Sequence, residues 1–319
     1  MASLVTDGVA LRSIFFGGGT PSLMPPALVN KIIVHAESLF GFCPEIEITA
    51  EANPTSVEAA SLAGFKDAGI NRISMGVQAL EARHLSFLGR EHSASEALDA
   101  LDIARQLFHR VSIDLIYGLP DQSSAEWKTT IEQLLGLGLD HLSLYQLTIE
   151  PGTVFYTRTR QGEVMTAPDD DAADMFEMTN EIASAHGLPA YEVSNFARAG
   201  EECRHNLIYW RAQNWLGIGP GAHGRISQNN KRIGMATRRS PQGWLDAVNK
   251  QGHGIQTLSE ETHADQIAEI MMMGLRLTEG INLDLAERRF GPVMSWLNAS
   301  KLQQMLEQEM VALTSHSGM

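Results

Sequence analysis

Short apolar runs alternate with helical patterns over the first 150 residues, and this alternation leaves few folds open. Five runs rich in β-branched and aromatic residues are predicted strands: SIFF (13–16), EIEITAEA (45–52), RISMGV (72–77), VSIDLIYG (111–118) and HLSLYQLTI (141–149). Strands that alternate with helices in this way pair in parallel. The sequence therefore predicts an α/β fold built of βαβ units.

The segments between these runs have helical patterns. Residues 26–40 place apolar side chains at helical spacing, and we expect them to form one buried face. That face carries Leu28, Ile32, Ile33, Ala36 and Leu39. Three other helices are predicted to begin at capping boxes, in which a hydroxyl and a carboxylate three residues later satisfy the first free backbone N–H groups. These pairs are Thr55 with Glu58, Ser93 with Glu96, and Ser123 with Glu126.

An open doubly wound sheet and a barrel both fit the alternation, and the loops after the strands favour the barrel. The strands lead into glycine-rich or polar residues: GGGTP (17–21), Glu51, Gln78, Asp114 with GLPDQ (118–122), and Tyr145-Gln146. In barrels, functional groups collect at the carboxyl ends of several strands. Each of these residues taken alone is an ordinary polar loop residue, but five in step indicate one pocket. The three glycines let a ligand reach the backbone without interference from Cβ atoms.

Composition and charge exclude several classes of function. The chain has 319 residues and a net charge of −14, so nucleic acid is not an expected partner. No apolar run approaches the ~20 residues that span a bilayer, and the N-terminus has no signal-peptide pattern. Cys43 and Cys203 have neither disulfide-framework nor zinc-site spacing. We therefore expect a cytoplasmic protein with no membrane span, and we assign no metal ligand.

Several long strings, in a fixed order, together resemble one known family. They are FFGGGTPSLM, ITAEANP, RISMGVQAL, LGREH, SIDLIYGLPDQ, YEVSNFAR, CRHNLIYW and LGIGPGAHG. They are similar to radical SAM proteins related to oxygen-independent coproporphyrinogen III oxidase, and most of all to the HemW-type haem chaperones. The resemblance runs from about residue 12 to the C-terminus. It implies a partial parallel barrel that binds S-adenosylmethionine (SAM), and a chaperone that holds haem for a haem-accepting protein.

Two other functions stay open at this point. One is a radical SAM oxidase that acts on porphyrinogen propionate side chains, and the other is an inactive fragment or a scaffold that only binds partners. No catalytic residue is assigned.

The resemblance implies a SAM site at the carboxyl ends of the first strands. The GGGTP loop, with Gly18, Gly19 and Thr20, would lie against the methionine end of SAM. Glu51 would contact the amino acid or ribose region, while Gln78 and Asp114 would address the ribose. Arg90 would hold the carboxylate, because its planar guanidinium binds carboxylates through two hydrogen bonds. The alternative for Arg90 is a surface ion pair with Glu91 or another acid.

The family's [4Fe–4S] cluster has no ligands in this chain. Its CxxxCxxC motif follows the first barrel strand of the family, one βα unit before GGGTP, and only 13 residues precede Ile14 here. A cluster needs several closely spaced thiolates, which Cys43 and Cys203 do not provide. We expect a barrel that lacks its first unit and has an open edge that favours self-association. We also expect the missing unit in the reading frame upstream of Met1.

The string HNLIYW (205–210) separates the HemW-type chaperones from the oxidases proper, which lack it. The resemblance implies haem contact at His205, Asn206, Tyr209 and Trp210. An imidazole can ligate haem iron and aromatic rings can pack on a porphyrin. The alternatives are a structural motif with a hydrogen-bonded His205, or a thiolate ligand from Cys203.

The rest of the chain departs from the barrel pattern. The match to G-x-G-x-x-G at 219–224 is not followed by a helical segment or a suitable acid, so we predict a tight turn and no dinucleotide site. The methionines at 271–273 fit core packing or a docking surface. We predict three domains: a partial barrel (1–160), an α+β extension that carries HNLIYW and GIGPGAHG (161–250), and a mostly helical, winged-helix-like module (251–319).

Overall fold

The computed structural model describes residues 10–228 and 231–314. These residues form two compact units, of which the first ends at Tyr209 and the second begins at Trp210. The expectation about the segment before the first strand falls on residues 1–9, which lie outside the described residues.

The first unit is built on a curled, mostly parallel sheet of seven strands in the order β1-β2-β3-β4-β5-β7-β6. The strands are β1 (Leu11–Phe16), β2 (Phe42–Ala52), β3 (Arg72–Gln78), β4 (Arg110–Tyr117), β5 (His141–Gln146), β6 (Ala190–Glu192) and β7 (Asn195–Ala197). Strands β1 to β5 pair in parallel, and β7 runs antiparallel to β5 and β6. The predicted partial parallel barrel is confirmed.

Helices connect and cover these strands. They are α1 (Pro26–Phe40), α2 (Ser56–Ala68), α3 (Ala82–Phe87), α4 (Ala94–Leu107), α5 (Ser124–Leu135), α6 (Val154–Arg160), α7 (Asp169–Ala185) and α8 (Arg204–Trp210). The capping boxes at the starts of α4 and α5 form as predicted. At α2, Thr55 accepts from the N–H of Glu58. The Glu58 carboxylate accepts from the N–H of Asn53 at 2.7 Å, in place of the second half of the box.

The prediction for helix α1 was wrong in part. Its buried side chains are Val29 and Ile33, whereas Leu28, Ile32 and Leu39 are exposed. Helix α1 packs on α2 beside the edge strand β1, so only a narrow stripe of its surface is covered. The apolar spacing predicted the helix correctly and its buried face too broadly.

The two faces of the parallel sheet differ in chemistry. The face toward the helices is apolar and carries residues such as Ile73, Ile113 and Leu142, each at most 1% exposed. Alternate residues on the same strands form the opposite face, which we call the inner face. Its members are Glu47, Thr49, Glu51, Arg72, Ser74, Arg110, Ser112, Asp114, His141 and Ser143. A charged inner face cannot serve as a dry core unless its groups are paired, and this is where the functional candidates lie.

In its described residues, the second unit contains a three-stranded antiparallel sheet, four α-helices and a short 3₁₀ helix (Val293–Ser295). The strands are β8 (His223–Gln228), β9 (Lys231–Thr237) and β10 (Ile255–Glu260), in the order β10-β9-β8. The helices are α9 (Pro241–Gln251), α10 (His263–Gly274), α11 (Leu283–Phe290) and α12 (Ala299–Glu307). The G-x-G-x-x-G match leads into strand β8, in agreement with the predicted turn. Among the methionines 271–273 of α10, Met272 is exposed.

The compact units divide the chain differently from the predicted boundaries near residues 160 and 250. Strands β6 and β7 join the sheet of the first unit, which carries residues 161–209 into it. Strand β10 pairs with β9, which ties residues 255–260 to the segment before residue 250. Within residues 10–228 and 231–314, no helix combines the length and the apolar character needed to cross a bilayer.

Candidate functional site

The glycine loop after strand β1 leaves its backbone open. Gly18 and Gly19 have φ angles of +78° and +60°, a left-handed conformation that favours glycine. A Cβ atom at either position would meet nothing within 4 Å. At Gly17 a Cβ would approach the Phe15 ring at 2.9 Å and Glu51 Oε1 at 3.3 Å. The loop therefore needs glycine for its conformation at two positions and for space at the third.

Glu51 connects this loop to the inner face. Its Oε2 accepts a hydrogen bond from the N–H of Gly18 at 3.2 Å. Burial raises the pKa of Glu51, and the bond from Gly18 opposes that shift. Glu51 stands opposite Ser74 in the β2–β3 register. The hydroxyl of Ser74 lies 3.1 and 3.2 Å from the two carboxylate oxygens of Asp114.

Asp114 has the most strongly shifted carboxyl of this edge. Burial raises its pKa to about 6, and the Glu51 charge adds to that rise. Hydrogen bonds from Ser143 and Ser74 and the charge of Arg72 oppose it. A carboxyl that titrates near pH 6 can hold or release a proton close to neutrality.

Gln78 and Arg90 complete the carboxyl edge. Gln78, at the end of β3, has a φ angle of +69°, which is unusual for a residue other than glycine and is typical of functional positions. Arg90 Nη1 lies 3.5 Å from Oδ1 of Asn53, the residue that follows β2. Of the predicted SAM residues, Glu51 and Gln78 therefore lie at the carboxyl ends of β2 and β3. Asp114 lies inside β4, and Arg90 lies in the loop between α3 and α4.

Two further polar residues of this edge were missed by sequence reasoning. Ser74 and Ser143 hydrogen bond Asp114 from the neighbouring strands β3 and β5. The signal that could have found them is the strand register, because parallel alignment puts Ser74 and Asp114 on the same face of adjacent strands.

His205 lies in the first unit with both ring nitrogens engaged. Nδ1 is 2.9 Å from Ser13 Oγ, and Nε2 is 2.7 Å from the hydroxyl of Tyr209. The imidazole stacks on Phe15 with ring centroids 4.9 Å apart. Burial lowers its pKa to about 4; the charge of Arg72 contributes, and Glu47 opposes. At neutral pH the imidazole is therefore uncharged, which is the form that binds iron.

A buried carboxylate holds the start of helix α8. Glu47, on the inner face of β2, accepts from the N–H groups of Arg204 at 3.2 Å and His205 at 3.0 Å. Its Oε2 also pairs with Arg110 Nη1 at 2.6 Å. The same guanidinium binds the Glu201 carboxylate at 2.8 Å and the carbonyl oxygens of Glu201 and Glu202. A strand residue thus fixes the helix that carries the HNLIYW string.

The other predicted haem residues have separate surroundings. The amide of Asn206 lies 3.4 Å from the Tyr191 hydroxyl in the first unit. Trp210 belongs to the second unit, where the guanidinium of Arg276 lies 4.5 Å from its ring centroid. The buried indole N–H of Trp210 has no hydrogen-bond acceptor among the residues that the structure describes.

Comparisons with known proteins identify the family. The Radical SAM superfamily profile matches residues 4–134, and the HemN C-terminal domain profile matches residues 262–317. Heme chaperone HemW of Escherichia coli is 39% identical over 86% of this chain and 70% of its own length. Heme chaperone HemW of Bacillus subtilis is 33% identical over 94% of this chain and 79% of its own length. The chain belongs to the HemW-type family of radical SAM proteins.

Further relatives show how much of their own length this HemW-type chain spans. The mitochondrial radical S-adenosyl methionine domain-containing protein 1 of Bos taurus is 38% identical over 97% of the chain and 72% of its own length. The chain spans 62% of the corresponding proteins of Danio rerio and Mus musculus. The solved coproporphyrinogen III oxidase (HemN) of Escherichia coli has a TM-score of 0.77 at 22% identity, over 94% of this chain and 71% of that one. That likeness shows the fold, and the predicted family is confirmed.

The two cofactors of radical SAM proteins fit this HemW-type chain unequally. The open glycine loop, the Glu51 and Asp114 carboxyls and the Arg90 guanidinium suit a ligand with amino, carboxylate and ribose groups. They would hold SAM, which supplies a 5′-deoxyadenosyl group when it is cleaved at a reduced cluster.

The cysteines of the chain do not fit a [4Fe–4S] cluster. Cys203 is 1% exposed, its Sγ lies 3.5 Å from Glu47 Oε1, and burial raises the pKa of its thiol to about 11. Cys43 lies near the start of β2, at the end of the strand opposite Glu51. Within the part of the chain that the structure describes, no three His, Cys, Asp or Glu side chains form a group that could hold a metal ion. The protonated Cys203 thiol is equally unsuited to ligate haem iron.

Proposed function

We propose that this chain is a haem chaperone: it holds haem, with His205 as an iron ligand, for delivery to a haem-accepting protein in the cytoplasm. Relatives named Heme chaperone HemW match it at 33% and 39% identity. The observation that carries the proposal is the position of the His205 imidazole, which hydrogen bonds Ser13 and Tyr209 on a helix whose start is held by Glu47.

The surroundings of His205 support a ligand role in two respects. A histidine that binds a metal through one ring nitrogen usually hydrogen bonds a partner through the other, which fixes the ring. Ser13 provides such a partner at Nδ1. The Phe15 and Tyr209 rings lie 4.9 and 4.8 Å from the imidazole, between centroids, and aromatic rings of this kind pack well against a porphyrin.

A haem titration tests the ligand. Added haem should give a shifted Soret band with the wild-type chain, and His205→Ala should weaken binding at least about tenfold, the loss expected for one strong contact. The exposed His109→Ala is the matched control, and Cys203→Ser tests the thiol. If His205→Ala binds haem like the wild type, His205 is a structural residue and the proposal is wrong.

We propose further that SAM binds at the carboxyl edge of the first unit. Gly18, Gly19 and Thr20 would face its methionine end, and Arg90 would pair with its carboxylate. Glu51, Gln78 and Asp114 would then address the amino and ribose groups. The distances around Asp114 and Gly18 support this assignment, because polar groups from adjacent strands converge there.

Isothermal titration with SAM, without any cluster, tests this second site. Arg90→Ala should reduce affinity about ten- to a hundredfold, because a charge-assisted hydrogen bond contributes ~1.5–3 kcal/mol. The exposed Arg105→Ala should leave the affinity unchanged. Equal SAM affinity in both variants would remove Arg90 from the site.

A further inference from the structure

His205 presents an apparent conflict for a ligand, since neither ring nitrogen is open in the structure. We propose that Ser13 fixes the imidazole as the Nδ1–H tautomer and that the Tyr209 hydroxyl covers Nε2, so that Tyr209 competes with haem iron for the same lone pair. This inference rests on the proposed function, and it names the binding atom and the group that must leave it.

The two hydroxyls decide the tautomer by their difference in acidity. A phenol, with a pKa of about 10, is a stronger hydrogen-bond donor than an aliphatic hydroxyl. The Tyr209 hydroxyl therefore donates to Nε2, and Nδ1–H donates to Ser13 Oγ. With the proton on Nδ1, the lone pair that can bind iron is on Nε2.

Contacts on two sides fix the imidazole of His205. Phe15 stacks on its ring with an interplanar angle of 21°, and Glu47 holds its backbone N–H at 3.0 Å. Tyr209 is four residues later on the same helix and meets the imidazole edge to face at 86°. We expect the Tyr209 hydroxyl to leave Nε2 when Nε2 binds iron, while His205 keeps its place.

The balance of contacts gives an expected magnitude. Haem must replace one hydrogen bond at Nε2, and the net worth of such a bond corresponds to a factor of about two to ten in affinity. Removal of the Tyr209 hydroxyl with the ring retained should tighten haem binding by that factor. Removal of a group near a ligand usually weakens binding. Tighter haem binding would therefore distinguish competition by the Tyr209 hydroxyl from an ordinary loss of contact.

The experiment compares haem affinity, from Soret titrations, in the wild type, Tyr209→Phe, Ser13→Ala and His205→Ala. Tyr156→Phe and Ser38→Ala are matched controls outside the string HNLIYW and the contacts of His205, and they should bind haem like the wild type. We expect tighter binding in Tyr209→Phe and weaker binding in His205→Ala. In Ser13→Ala, resonance Raman should show an altered iron–imidazole stretch, because the ligand has lost its Nδ1 partner.

A measurement on the haem-free wild type keeps the proposal testable even where a variant fails to fold. Ring ¹⁵N shifts of His205 should report a protonated Nδ1 and an unprotonated Nε2. The reverse tautomer, or a Tyr209→Phe variant that folds and binds haem no more tightly than Tyr156→Phe, overturns the proposal. Failure of the proposed function has a different signature, which is unchanged haem binding in His205→Ala.

Discussion

Protonation of Asp114 should make the stability of the folded chain depend on pH. Its pKa rises from 3.8 to about 6 in the folded chain, chiefly through burial. The folded state therefore binds more protons than the unfolded state between about pH 4 and 6, and the contribution of this group to stability falls as pH rises through that window.

Asp114→Asn removes this titration. The stability of the variant relative to the wild type should increase from pH 4 to pH 6 by about 1–3 kcal/mol, since one pKa unit corresponds to ~1.4 kcal/mol. Urea unfolding at a series of pH values measures it. The exposed Asp102→Asn is the control, and a difference between Asp114→Asn and wild type that does not change with pH would contradict the assigned shift.

The sequence predicted Asp114 and Glu51 but could not predict their chemistry. Their place in predicted strands could be seen in the sequence, because strands have a characteristic period and composition. Burial raises the pKa of both carboxyls, and at Asp114 hydrogen bonds from Ser74 and Ser143 oppose that rise. Burial and these partners from neighbouring strands depend on the strand register, which the sequence alone does not give.

Two adjacent isoleucines of helix α1 test directly which of its residues are buried. Ile33 is 6% exposed and Ile32 is 38% exposed. Ile33→Ala should cost about 2–5 kcal/mol of unfolding free energy, through lost burial and the cavity that remains. Ile32→Ala, with the same change in chemistry, should cost less than about 1 kcal/mol. If urea unfolding shows equal losses of stability in the two variants, the broader buried face predicted from the sequence is correct.

The contacts of Glu47 that join strand β2 to helix α8 also predict a measurable loss of stability. Glu47→Gln weakens the ion pair with Arg110 and the bonds from the N–H groups of Arg204 and His205. Breaking a buried pair costs about 3–5 kcal/mol, and we expect the low end because Arg110 keeps Glu201.

Amide exchange at the start of α8 should accelerate in the same variant. Glu45→Gln is the matched control, because that side chain is 82% exposed and its ion pair with Arg204 contributes at most about 1 kcal/mol. If Glu47→Gln unfolds at the urea concentration of the control, Glu47 does not hold the helix.

Sequence reasoning predicted the strands and helices but not the hydrogen bonds between Glu47 and the start of helix α8. The strands and helices follow local patterns, so their existence and order were predictable. Glu47 and His205 are 158 positions apart, and Glu47 reads as a polar residue in a strand. Long-range hydrogen bonds of this kind leave no periodic signal in a single sequence. The pairing of β7 with β5 is of the same long-range kind, and it brings β6 and β7 into the first sheet.

The chain as a whole has two thiols, and this number bears on its redox chemistry. A [4Fe–4S] cluster is normally held by cysteine thiolates at close spacing. Burial favours the protonated form of Cys203, with a thiol pKa of about 11, and Cys43 lies near the start of strand β2. Neither fits a cluster that serves the carboxyl edge, where the SAM candidates converge.

Anaerobic reconstitution with iron and sulfide should therefore leave this chain without a stoichiometric [4Fe–4S] signal. It should not release 5′-deoxyadenosine from SAM under reducing conditions, because electron transfer to SAM requires the cluster. A Cys43→Ser, Cys203→Ser double variant should behave identically, which separates adventitious iron from a real site. Haem binding through His205 should be unaffected by reconstitution, since it depends on an imidazole and not on a thiolate. Release of 5′-deoxyadenosine by the wild type that is lost in the double variant would show that these two cysteines support a cluster after all.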